Sequence, residues 1–154
     1  MKRIFGVFIL SALFLSACSL DENVAELYEQ KSPLEADIMI PEYFAEEESE
    51  QIQVQLTQGG ETIENPDFVH LEIWKQDGSL NYGMEEAENL GDGTFGLSKP
   101  FDQDGLYYVK VHASSAGSMI VPTKQFIVGE LSQSDLDALQ NCIKQEGDTG
   151  GHHH

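Results

Sequence analysis

Two histidines and a methionine have metal-binding chemistry at a useful spacing: His70, His112 and Met119, the last of them seven residues beyond His112. Imidazole with thioether is a soft donor pair, suited to copper and above all to Cu(I), and poorly suited to magnesium or calcium. His70 and His112 fall in two separate runs of alternating apolar residues, each on the face opposite the apolar set. Met119 follows the small-residue loop of residues 114–118. The other use for each histidine is an ordinary surface position, and for Met119 it is packing at a hairpin. His152, His153 and His154 close the sequence, either as a native tail that collects divalent metal weakly through neutral imidazoles or as the stub of a purification tag.

Other chemistries lack their residues. A catalytic triad, a phosphate-binding P-loop, a dinucleotide fingerprint and a zinc-protease helix motif are all missing, and no Cys-x-x-Cys pair exists. No catalytic residue is therefore assigned, and a binding protein is expected in place of an enzyme. With 27 acidic against 8 basic residues and a formal charge of -19, the chain repels phosphates, which excludes nucleic acid. Cations, or a cationic partner, are the natural attraction. Trp74 shares its strand face with His70, away from Val69, Leu71 and Ile73, and is the candidate for partner contact. The alternative to metal binding is thus a protein-docking module in which the histidines are incidental.

The N-terminus sets the expected compartment. Met1, Lys2 and Arg3 precede an uncharged apolar run over residues 4–15, too short to span a bilayer comfortably and typical of a signal peptide, here residues 1–17. Leu15-Ser16-Ala17-Cys18 resembles a bacterial lipobox, in which cleavage leaves the cysteine as the lipidated first residue. The expectation is a protein on the extracytoplasmic face of the cell membrane, held by acyl chains on Cys18, because a surface this acidic is repelled by anionic head groups. Lipidation of Cys18 leaves Cys142 as the one free thiol, so no intramolecular disulfide forms; Cys142 is a small apolar helix residue or an intermolecular handle.

These residues need elements to position them. Residues 18–33 read as the lipidated cysteine and an acidic, flexible tether, and residues 46–50 as an acidic loop. Between them and residue 129 lie short alternating runs: Ile38 and Ile40; Ile52, Val54 and Leu56; Val69, Leu71 and Ile73; Phe95 and Leu97; Tyr107, Val109 and Val111; Phe126 and Val128. Gly59-Gly60, Asp77-Gly78 and Gly91-Asp92-Gly93 supply turns. The pattern predicts an all-β, immunoglobulin-like antiparallel sandwich of about seven strands over residues 34–129, in which the strands carrying His70 and His112 are neighbours. Gly105-x-Tyr107-x-Val109 resembles the tyrosine corner of such sandwiches, with Val109 where antibodies place a disulfide cysteine. After Gly129 the period changes: Leu136, Leu139 and Ile143, behind a Ser132 and Asp135 cap, predict a short amphipathic helix at residues 132–145 within the segment 130–146. Residues 147–154 are expected to form a flexible Gly/His tail.

Several ordered blocks carry a wider resemblance. Gln58-Gly59-Gly60-Glu61, Glu72-Ile73-Trp74-Lys75, Gly91-Asp92-Gly93, residues 104–109 and the strand from Pro122 to Gly129 resemble the YtkA-like (FixH-like) domain of lipoproteins of Gram-positive bacteria, over residues 35–129. The resemblance implies an extracytoplasmic immunoglobulin-like sandwich linked to cation handling and to assembly of haem-copper respiratory oxidases. A respiratory oxidase or a cation-handling membrane protein would be the partner. In the family the metal-relevant stretch runs His, six residues, His, one residue, Met, Pro. His112 and Pro122 match it here, whereas Met119 stands in place of the second histidine and Val121 in place of the methionine.

Overall fold

The computed structural model describes residues 32–44 and 49–148. Cys18, the signal peptide, most of the tether, residues 46–48 of the acidic loop, and His152, His153 and His154 lie outside the described residues.

Strands follow the alternating runs. In chain order they are β1 (Leu34–Met39), β2 (Ser49–Gln58), β3 (Glu61–Thr62), β4 (Phe68–Lys75), β5 (Asn81–Glu86), β6 (Glu88–Gly91), β7 (Thr94–Pro100), β8 (Gly105–Ser115), β9 (Ser118–Ile120) and β10 (Thr123–Val128), before helix α1 (Gln133–Asp148). Glu50, expected in the acidic loop, is the second residue of β2, where strand pairing with Lys99 takes it up. Sheet one has the order β1-β2-β7-β6 with β3 on β2, and sheet two the order β10-β8-β4-β5 with β9 on β8. Every pairing is antiparallel. That is the strand order of an immunoglobulin-type sandwich, and the chain crosses from one sheet to the other between β3 and β4, between β5 and β6 and between β7 and β8.

The inner faces of both sheets meet in one core. Ile52, Val54 and Leu56 from sheet one face Leu71, Ile73, Val109 and Val111 from sheet two, all fully buried. One end is closed by aromatics: Phe101 meets Phe44, Phe126 and Tyr107 at centroid distances of 5.0, 5.5 and 5.5 Å. The fully buried Tyr107 donates its hydroxyl to the Gln103 carbonyl at 2.7 Å, which completes the tyrosine corner expected from Gly105-x-Tyr107-x-Val109.

Helix α1 starts where its cap predicts. The Asp135 amide donates to the Ser132 hydroxyl oxygen at 3.2 Å, and the Ser132 amide donates to the Asp135 carboxylate at 3.0 Å, a reciprocal box that satisfies two amides. The helix runs to Asp148, two residues into the segment assigned to the tail. Leu136 on its expected apolar face is 40% exposed, so at this position the stripe has no cover among the described residues.

Candidate functional site

Pairing of β4 with β8 sets the centre of the site. Val69, Leu71 and Ile73 turn inward, so His70, Glu72 and Trp74 turn outward; likewise Val109 and Val111 send Tyr108, Lys110 and His112 outward. The register places His70 directly opposite His112, Glu72 opposite Lys110 and Trp74 opposite Tyr108. Ser114 and Leu106, flanking these positions on β8, receive the amides of Asp67 and Gln76 on the β4 side. His70 and His112 are therefore a hydrogen-bonded pair, with Cα atoms about 5.5 Å apart.

Met119 joins the same face from β9. It pairs with Ser114, two residues on from His112, which makes it a diagonal neighbour of that histidine. Its side chain is 65% exposed, so the hairpin does not enclose it and its thioether is open to solvent. The structure thus places His70, His112 and Met119 on one face; the two histidine strands are neighbours as the sequence pattern expects, whereas Met119 lies in strand β9 and not in a loop.

The rings have different neighbours. His70 stacks on Phe68 at 5.2 Å between centroids and 20° between planes. His112 directs Nε2 toward Glu72 Oε2 at 3.8 Å, and the same oxygen lies 3.7 Å from Lys110 Nζ. Nε2 is sealed from solvent and has no hydrogen-bond partner. Among the described residues no three His, Cys, Asp or Glu side chains converge as a ready metal site. What the face offers is two imidazoles paired across β4 and β8, with a thioether on the adjoining strand β9.

Trp74 lies two rows from the histidines. It is half-buried, stacked on Tyr108 at 5.5 Å and 16°, with Lys110 Nζ 5.0 Å above its ring. Glu72, Lys110 and Phe68 are the neighbours that sequence reasoning did not single out. Counting two residues on either side of His70, and back from His112, would have found them; their side-chain contacts were not so accessible. Met84, opposite Glu72 and 55% exposed, lies on β5, a strand whose acidic residues hid its alternation.

A family model described as YtkA-like matches residues 28–112. The match ends at His112, so Met119 and Pro122 lie beyond it. No match is found among curated proteins. Among solved structures the chain is similar to an engineered protein, with 16% identity, 63% of this chain and 20% of that chain covered, and a TM-score of 0.44. The chain thus spans about a fifth of that protein's length. It is also similar to CopC from Methylosinus trichosporium OB3b, with 19% identity, 66% of this chain and 99% of that chain covered, and a TM-score of 0.44. Likenesses at this level carry no inference about chemistry.

Proposed function

The chain belongs to the YtkA-like family, and from that premise we propose that it is an extracytoplasmic accessory lipoprotein, anchored to the cell membrane through Cys18, that binds copper as Cu(I) on the outer face of its second sheet. It acts as a binding protein and not as an enzyme, and its partner is a respiratory oxidase or a cation-handling membrane protein during maturation of a respiratory complex. One observation carries the metal reading: the β4–β8 register pairs His70 with His112, and the β8–β9 register leaves Met119 diagonal to His112 on the same open face. Neutral imidazole and thioether are ligands that Cu(I) accepts and hard cations do not. His112 and Met119 are the principal ligands, His70 the third, and His152, His153 and His154 an auxiliary collector.

The test is an anaerobic titration of Cu(I) against a chromophoric chelator, with the three tail histidines changed to alanine so that only the sheet reports. One equivalent should bind. The double change His112→Ala, Met119→Ala should weaken it by more than the roughly tenfold to hundredfold that loss of a supporting residue costs. An affinity unaltered by the double change would overturn the assignment.

The half-buried Trp74 favours a second reading, a docking module for a cationic partner, since an aromatic accessible at a sheet face suits protein contact. Membrane crosslinking that depends on Trp74 in a protein that takes up no copper would select it.

A further inference from the structure

Nε2 of His112 is buried, without a hydrogen-bond partner, and faces the Glu72 carboxylate at 3.8 Å, although 23% of the His112 side chain is exposed. A buried N–H left unpaired costs on the order of 1–3 kcal/mol. Glu72 is on the neighbouring strand with 28% of its side chain exposed, and its oxygen stands 3.8 Å from Nε2, somewhat beyond the usual hydrogen-bond distance of about 2.9 Å. An ion arriving from solvent cannot reach Nε2 through that enclosure. It can reach Nδ1.

We propose that Glu72 is the positioning residue of the copper site: its carboxylate holds the Nε2–H of His112, so that the imidazole meets the ion through Nδ1. This rests on the copper reading above. Metal-ligating histidines commonly give their second ring N–H to a carboxylate, which fixes the tautomer and the ring plane and makes the ligating nitrogen more basic. Here the carboxylate has a second effect. Lys110 Nζ lies 3.7 Å from Glu72 Oε2 and 5.0 Å above the Trp74 ring. Glu72 therefore neutralises an ammonium that would otherwise repel a cation on the same face. The Trp74 ring and Glu72 together hold that ammonium in place.

The experiment uses the full chain in detergent micelles, with the tail histidines changed to alanine, and loads it with Cu(I), which is diamagnetic. Long-range nitrogen–proton correlation spectra then report which ring nitrogen of His112 carries the metal and which the proton. The wild type should show metal on Nδ1 and a proton on Nε2. Glu72→Ala should lower Cu(I) affinity roughly tenfold to hundredfold and let metal appear on Nε2. Glu72→Gln, whose amide oxygen still accepts the N–H, should keep Nδ1 ligation and recover part of the affinity; it also serves if the alanine variant folds poorly. Metal on Nε2 in the wild type, or equal affinity in wild type and Glu72→Ala, would overturn the assignment of Glu72 while leaving the copper reading intact. Failure of the wild type to take up Cu(I) would overturn both.

Discussion

The outer faces of the two sheets cover the same core and are built by the same alternation, yet their chemistry differs. On sheet one, Gln51, Gln53 and Gln55 alternate with buried Ile52 and Val54. Gln53 donates to the Gln51 amide oxygen at 2.8 Å, and Gln51 donates to Ser98 at 3.5 Å, so these amides are engaged with one another. On sheet two the equivalent positions hold two imidazoles, a thioether, an indole and a carboxylate, and one imidazole nitrogen has no partner. A face whose polar groups satisfy each other has no use for a ligand. A face that presents two imidazoles and a thioether as neighbours offers a soft cation the donors it accepts.

The sharpest way to break the comparison is within a single strand. Leu71→Ala, at a fully buried core position, should cost about 2–5 kcal/mol through lost transfer energy and a cavity. His70→Ala, its neighbour on the outer face, should stay within about 0.5 kcal/mol. Urea midpoints at constant m-value measure both. Comparable losses would mean that His70 serves the fold and not a ligand.

Much of that strand's geometry was legible in the sequence. Val69, Leu71 and Ile73 define the inward face of β4, and Val109 and Val111 that of β8, so the immunoglobulin-like layout alone puts His70 near His112. The contact between Glu72 and His112 was not legible, because it depends on side-chain torsions that periodicity does not determine. Strand β5 escaped notice because Glu85 and Glu86 carry charge on both faces; Glu85 pairs with Lys99 at 2.7 Å across the sandwich edge. Leu106 shows the limit of counting by twos. It lies outside the main core cluster yet is fully buried, near the helix start, where its amide donates to Asp135.

A smaller effect tests what fixes the end of β8. Tyr107→Phe removes the hydroxyl that donates to Gln103 and should cost about 1 kcal/mol. Burial pushes that phenol up to about 12, so it remains a donor at every pH in which the protein is handled, and the loss should not vary between pH 5 and pH 9. Smaller still is the expected effect of Gln51→Ala with Gln53→Ala on sheet one. Their amide chain is at the surface, so stability should change by no more than about 0.5 kcal/mol. Cu(I) affinity should not change at all, and a weakened affinity would contradict the assignment of copper to sheet two.

The least effect is expected at the hairpins, where the sheets also differ. Between β2 and β3 the chain turns on Gly59 and Gly60, whereas between β4 and β5 it turns at Asp77, whose carboxylate accepts from the Ser79 hydroxyl at 2.6 Å and amide at 2.9 Å. The Ser79 bonds, with Lys75 adding a smaller pull at 3.2 Å, lower Asp77 to about 2 from an ordinary value of 3.8. A carboxylate depressed in the folded state contributes stability above its unfolded value, and that contribution is lost as pH falls through the folded one. The wild type should therefore lose its advantage over Asp77→Asn between about pH 4 and pH 2, seen as converging thermal midpoints. Parallel midpoints across that interval would mean that the Ser79 bonds do not hold the charged form.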